Sequence, residues 1–244
     1  MNRTFLTAAC LLSVLTAASS HALTVSGSVG GAPTGVNHLN FDDLANGSSG
    51  ALTTLGSDGP VSLYIAPNAR VATGSVSGQY AMPYISGDNG QGFASQTVAG
   101  PDQTPYLTSG RISDGGSIRI NFASDQRYLG LLWGSVDWYN KLEFYNAANQ
   151  LVATITGSDV VQSPNGDQGV NGTLYVNIND LAPFRSVVAS ATEFAFELDN
   201  VAYASSPVRF RDGGVGVPDG GSTAGILGVT VAGLWGVSRR RRAA

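Results

Sequence analysis

The segment SIRINFAS (117–124) places Ile118, Ile120 and Phe122 on one side and Ser117, Arg119 and Asn121 on the other. This two-residue alternation is that of a half-buried β-strand. The same period recurs: GTLYVNI (172–178) directs Leu174, Val176 and Ile178 inward, and EFAFELDNVAY (193–203) does so with Phe194, Phe196 and Leu198. KLEFY (141–145) and QLVATIT (150–156) flank the turn Asn146-Ala147-Ala148-Asn149, which predicts a hairpin. Gly, Asn, Asp, Ser and Pro clusters punctuate these runs, and no stretch carries helical periodicity. Strands with one apolar face need a second sheet to cover them. The expected fold class is therefore all-β, a single antiparallel two-sheet sandwich of jelly-roll-like arrangement.

The stretch from about Ser86 to Gly110 reads as a long loop or a set of edge excursions, and SPNGDQGVNG (163–172) is a similar but shorter break. GDNGQG (87–92) and NGDQGVNG (165–172) hint at calcium loops but lack the required acidic spacing and distal Glu, so turns are expected. Asn46-Gly47-Ser48 and Asn171-Gly172-Thr173 are formal N-glycosylation sequons.

The ends of the chain differ in kind from this body. Arg3 precedes an apolar run from Phe5 to Ala18, and Ser20-His21-Ala22 offers a small-x-small cleavage site before Leu23. Residues 1–22 read as a signal peptide. The single cysteine, Cys10, lies inside it, and a lipoprotein cut at Cys10 would leave an apolar stretch shorter than the usual ~7 residues. Cleavage after Ala22 leaves no thiol for disulfides or metal, so the body must rely on its packed core. Residues 23–204 are expected to form the β-sandwich domain, which is long enough for one sizeable core. Residues 205–221 read as a flexible spacer.

Residues 222–238 then form an apolar run, read as a short transmembrane helix, and 239–244 a basic cytoplasmic tail holding Arg239, Arg240, Arg241 and Arg242. From Ala224 to Ser238 such a helix would span roughly 22 Å at about 1.5 Å per residue, short of the ~30 Å hydrocarbon core. The four arginines are the orientation signal, holding the C-terminus inside and the body outside. A permanent anchor is one reading of this arrangement.

Charge is sorted along the chain. Five of the 13 basic residues, Arg3 and the arginine cluster, lie in the terminal segments, which leaves eight basic groups in the body against sixteen acidic ones, a net charge near −8. Lys141 is the only lysine. Nucleic-acid binding, which needs clustered Lys and Arg, is not expected.

Val217, Pro218, Asp219, Gly220 and Gly221, the apolar run and the terminal arginines together resemble the tripartite sorting signal of PEP-CTERM-type proteins, in a Val-Pro-Asp variant where the commonest version has Pro-Glu-Pro. The resemblance implies a partner, an exosortase-type processing enzyme that cuts at the motif, with the inner membrane occupied only transiently. Pro218 and the two glycines keep the backbone extended and unpaired where an enzyme must grip it. YLTSG (106–110), YLGLLWGSVDWYNKLEFYN (128–146), YVNI (175–178) and AFELDNVAY (195–203) add a resemblance to exosortase-dependent surface proteins with a Trp-Gly-Ser-x-Asp-x-Tyr-Asn motif. Together they imply an exported protein at the cell surface or in the extracellular matrix of a Gram-negative, exopolysaccharide-producing bacterium. Its expected role is as a non-enzymatic matrix or biofilm component, with exopolysaccharide a candidate partner.

Two constellations are candidate ligand sites. Trp133, Trp138 and Tyr139 of WGSVDWYN could stack on sugar rings while Asp137 and Asn140 supply hydrogen bonds, the chemistry of a carbohydrate-binding module. The competing reading has one Trp filling the core, a bulge at Gly134-Ser135 and Asp137 capping a turn. Acidic pairs fall near both ends of the body, in FDDL (41–44) and LDNV (198–201). This pattern loosely resembles jelly-roll carbohydrate-binding modules. The resemblance implies adjacent first and last strands, with Asp42 or Asp43 joining Asp199 and Asn200 around a structural Ca²⁺. Solvated strand ends are the alternative.

Catalysis has thin support. His38 is the only histidine past the signal, no Gly-x-Ser-x-Gly elbow is present and no His-containing zinc motif exists. A polysaccharide hydrolase would have to draw on Glu143, Glu193 and Glu197, of which Glu193 and Glu197 read as exposed positions opposite Phe194 and Phe196.

Overall fold

The computed structural model describes residues 23–210, apart from 29, 30, 88, 90–92 and 94–98. The signal peptide, the sorting motif Val217–Gly221, the apolar run and Arg239–Arg242 lie outside the described residues. Among those described, no helix is long and apolar enough to cross a membrane.

The chain is all-β and sandwich-like. In order along the chain the strands are β1 (Thr24–Ser28), β2 (Asn37–Leu39), β3 (Gly50–Gly56), β4 (Gly59–Ile65) and β5 (Arg70–Ala72). Next come β6 (Tyr84–Ile85), β7 (Gly100–Pro101), β8 (Tyr106–Ser109), β9 (Ser117–Gln126) and β10 (Tyr128–Gly134). The last five are β11 (Asn140–Tyr145), β12 (Leu151–Thr156), β13 (Leu174–Asn179), β14 (Phe184–Ala191) and β15 (Phe196–Ala204). All but β6 and β7 join one antiparallel network that runs β1-β13-β10-β15-β2-β3-β4-β9-β14-β11-β12. β15 divides its far edge between β8, opposite Phe196–Leu198, and β2, opposite Val201–Tyr203. Only one residue pair, Leu39 with Gly56, links β2 to β3, so the network is hinged there. Its two halves meet across a shared core: the ring of Phe122 on β9 lies 4.8 Å from that of Tyr203 on β15, although the two strands are not paired.

The core follows the alternation in the sequence. β4 buries Val61, Leu63 and Ile65, and β9 buries Ile118, Ile120 and Phe122. β11 and β12 form the hairpin, with Asn149 in the left-handed region (φ 57°) closing its turn. β13 turns Val176 and Ile178 into the main core, with Leu174 packed at its margin.

β10 and β15 break the one-faced pattern, because both of their faces are covered. Leu129, Leu131 and Trp133 enter the main core from β10, as do Phe196, Leu198, Val201 and Tyr203 from β15. Their opposite faces supply Tyr128, Leu132 and Ala202 to a second, smaller cluster with Tyr175, Ile85 and Phe93, the last two from the excursion between β5 and β8. That excursion is a roof over the sheet. Gly130 permits the close packing beneath it, since a Cβ there would sit 2.3 Å from the Tyr128 hydroxyl and 2.9 Å from the Tyr175 ring.

The roof overturns two expectations. Glu197, read as a solvated position, is buried, because the face of β15 opposite Phe196 is the one the excursion covers. Phe194, read as inward, is 38% exposed, because it precedes the first residue of β15 and escapes its alternation. The end of the stretch read as a loop is also ordered differently: Tyr106–Ser109 is a buried strand inserted between β5 and β15.

Candidate functional site

WGSVDWYN occupies the end of β10, a turn and the start of β11. Trp133 is fully buried and stacked on Phe196, with ring centroids 4.3 Å apart and planes 25° from parallel. Its indole Nε1 donates to Oδ1 of Asn140 at 3.1 Å, and the Asp137 N–H donates to the same oxygen at 2.9 Å. The Asn140 Nδ2 donates to the carbonyl of Ala195 at 2.8 Å. One buried amide therefore fixes the indole, the turn and the chain leading into β15. Ser135 adopts a left-handed φ of 46° as the chain leaves β10, and the backbone turn closes with Asn140 N–H to Asp137 O at 3.1 Å. The Asp137 carboxyl is nearly buried, and that burial raises its pKa, with the neighbouring Tyr139 hydroxyl partly offsetting the shift.

Two members of the expected platform, the Trp133 and Asn140 side chains, thus brace the turn, and Asp137 joins them through its backbone while its carboxyl is nearly buried. The other two reach the surface. Trp138 is 64% exposed and meets Tyr139 edge-on at 5.4 Å. The Tyr139 hydroxyl donates to the Phe194 carbonyl at 2.9 Å, and the Arg111 guanidinium lies 5.0 Å from the centre of the Phe194 ring. Trp138, Tyr139, Phe194 and Arg111 form an exposed aromatic-cationic strip. Sequence reasoning missed its last two members, because Arg111 lies remote in the chain and Phe194 was assigned inward.

The second group of interest lies under the roof, on the other face of β15. A β-bulge at Asn200, in the left-handed region at φ 50°, shifts the β10–β15 register and leaves Asp199 facing the covered side. Asp199 is completely buried, and neither of its oxygens has a well-formed hydrogen bond. Asp102, equally buried, neighbours Asp199. Its Oδ1 accepts from the Thr104 N–H (2.9 Å) and hydroxyl (2.7 Å), while Oδ2 has no partner. Burial drives the Asp199 pKa well above the usual carboxylate value, and the negative charges of Asp102 and Asp42 push it further.

Pairing of β2 with β15 brings FDDL to this place, with Leu39 opposite Val201. Asp42 stands at the solvent edge of the cluster, its Oδ2 accepting from the Asn40 amide at 2.9 Å. Its pKa is raised by desolvation and by Asp102 and Asp43, against the lowering effect of the Thr104 hydroxyl. Asp43 turns aside to accept from the Thr54 hydroxyl at 2.6 Å. Asn200 is buried, and its carbonyl accepts from the Tyr175 hydroxyl at 3.1 Å. Of the four residues first assigned to a calcium site, Asp42 and Asp199 interact here, and the companion that sequence reasoning missed is Asp102. Among the described residues, no three His, Cys, Asp or Glu side chains are gathered tightly enough to form a ready-made metal centre.

Glu197, two residues before Asp199, accepts from the Ala81 N–H at 3.0 Å through Oε1. Its burial pushes its pKa up to about 7. The remaining glutamates are elsewhere: Glu143 pairs with Lys141 at 3.0 Å on β11, and Glu193 is exposed ahead of β15. His38 meets the edge of Phe93 at 4.9 Å, and partial burial lowers its pKa.

No family model matches the chain, and none of the curated proteins compared with it is significantly similar.

Proposed function

We propose that the chain is an exported, non-enzymatic surface or extracellular-matrix protein, jelly-roll-like in its body and delivered through an exosortase-type cut at Val217–Gly221. The observation that carries this reading is the tail itself. A Pro-Asp-Gly-Gly motif, an apolar run barely long enough to enter a bilayer and four terminal arginines make a poor permanent anchor but a workable transient one. The body supports it in one respect. Its most distinctive motif, WGSVDWYN, uses the side chains of Trp133 and Asn140 and the backbone of Asp137 to hold strands together. Its setting would be a Gram-negative envelope with exopolysaccharide, and nucleic acid has no place in it. Fractionation of producing cells tests delivery: the full chain should reach the surface or matrix, whereas a version ending at Gly216 should stop in the periplasm. Equal surface yield from the two would overturn the reading.

A second reading, a secreted carbohydrate-binding module, is favoured by one observation. Trp138 is an exposed indole beside Tyr139, Phe194 and Arg111, and flat aromatic surface with a few polar groups is what sugar rings stack on. Screening the body against a glycan array checks it. Trp138→Ala should abolish any binding detected while changing stability by no more than about 0.5 kcal/mol, as for exposed sites generally. Binding that survives this substitution would place the glycan elsewhere. Hydrolysis of an array member, lost in Glu143→Gln or Glu197→Gln, would instead favour a polysaccharide-active enzyme.

A further inference from the structure

The half of the network that runs β3-β4-β9-β14-β11-β12 turns one face to the core and the other to solvent, where Thr53, Ser62, Tyr64 and Thr154 are exposed. Register decides which side chains share that wet face, because directly opposed residues point the same way. Tyr64 stands opposite Arg119, and Ser62 opposite Asn121. Asn121 stands opposite Ser186, and Ser186 opposite Tyr145. Arg119 on β9 therefore lies between two tyrosines, one on β4 and one on β11. Its Nη1 donates to the Ser186 hydroxyl at 2.7 Å and to the Asn149 side-chain carbonyl at 3.3 Å, and its guanidinium lies 4.9 Å from the centre of the Tyr145 ring. These contacts fix one end of the fork. Nε and Nη2, the two donors along its other edge, have no acceptor among the described residues. The charge is unmatched as well. The six strands carry three cations and two carboxylates, of which Lys141 pairs with Glu143 at 3.0 Å and Arg185 with Asp125 at 2.9 Å. Arg119 is the cation left over, on a body whose net charge is near −8.

We propose that this sheet face binds an extended polysaccharide bearing carboxylate groups, with one uronate carboxylate on the free edge of Arg119 and neighbouring sugar rings on Tyr64 and Tyr145. The guanidinium argues for the carboxylate. Its planar fork matches two carboxylate oxygens at once, and a side chain already held by Ser186 and stacked on Tyr145 loses little freedom on binding. The rest of the face argues for a sugar chain. Tyr64 is 51% exposed, and neither its hydroxyl nor that of Tyr145 has a partner among the described residues, so each ring offers a flat surface with a polar tip. Thr53, Ser62 and Asn121 supply small hydroxyl and amide groups between them. From β4 to β11 is three strand spacings, about 14 Å, which suits a short stretch of an extended oligosaccharide. A nucleic acid would need several free cations where this face has one. A peptide would look for apolar anchors or a sheet edge, which these positions do not offer. The site needs neither Trp138 nor any particular route of delivery.

The experiment is titration calorimetry of the protein, purified as its cells export it, with oligosaccharides of polygalacturonate, alginate and hyaluronate. The same oligosaccharides with their carboxyl groups reduced to alcohols, and poly-glutamate, are the controls. At least one of the three should bind, and reduction should weaken it about tenfold or more. Raised salt should weaken it too, since the guanidinium is partly exposed. Arg119→Gln should lower affinity about tenfold or more, and Arg119→Lys should recover only part of it, because an ammonium lacks the fork. Because Arg119 also braces Ser186 and Tyr145, Tyr64→Ala serves as the second variant, with affinity about three- to tenfold lower and melting unchanged. Trp138→Ala should leave the affinity as it is, which separates this face from the aromatic strip. Binding of none of the three oligosaccharides, or equal binding of the reduced forms, would overturn the proposal. So would affinity unchanged in both Arg119→Gln and Tyr64→Ala, and poly-glutamate bound as tightly would put an acidic protein on this face instead. None of these outcomes bears on the delivery reading, which is tested by where the protein is found.

Discussion

Trp133→Ala is expected to destabilise the protein by about 3–5 kcal/mol, the range for removing a large aromatic from a packed core. The indole has no exposed surface and lies flat on Phe196 at 4.3 Å, so its loss opens a cavity between β10 and β15 and removes the stack as well. Its N–H is also the partner of Asn140. In denaturant unfolding the midpoint should fall with the slope unchanged, since the surface exposed on unfolding alters little. Trp133→Phe should cost less than the alanine change, because it keeps most of the apolar contact and forfeits the hydrogen bond. A solvent-facing Trp133 ready for a sugar would give a change near zero for both substitutions.

Asn140→Ala should cost about 3 kcal/mol or more, although far less apolar area is lost. Its amide serves the Trp133 N–H, the Asp137 N–H and the Ala195 carbonyl, each in a buried setting. Leaving one such group without a partner costs about 1–3 kcal/mol. The two substitutions share a bond, so the double variant should be less destabilised than the sum of the singles, by an interaction energy of about 0.5–3 kcal/mol. Urea titrations of the four proteins measure that term directly. Strict additivity would mean that the indole and the amide are structurally independent, contrary to the geometry.

Much of this architecture was legible in the alternation of apolar residues. Segments such as 117–124 and the 141–156 hairpin have one wet face, so polarity reports the strand and its register together. The readings that failed were those in which polarity reports a face without saying whether that face is wet. Glu197 does point away from Phe196, as alternation requires, but the face it occupies is roofed by a segment about a hundred residues earlier in the chain. Phe194 obeys no alternation because β15 has not yet begun.

The carboxylate cluster divides in the same way. Acidic residues beside apolar ones near both ends of the body pointed to Asp42 and Asp199 as neighbours, and β2–β15 pairing brings the Asp42 charge close enough to act on Asp199. Asp102 offered no such hint. Asp-Gln-Thr reads as a local turn, and the side chain does make that turn's hydrogen bonds with Thr104. Its second oxygen faces Asp199 only because the fold puts it there, a relation no single sequence encodes locally. Within WGSVDWYN, composition named the right residues without ordering them. Trp133 and Trp138 are five apart, one the largest fully buried side chain among the described residues and the other standing in solvent.

In the proposed delivery the tail is a transient handle, removed when the body reaches the surface. Intact-mass spectrometry of the protein recovered from the cell surface is the decisive measurement. The expected product begins at Leu23 and ends within or beside Val217–Gly221, without the apolar run. A surface-located protein that still carries Arg239–Arg242 would contradict it and leave a permanent membrane anchor in its place.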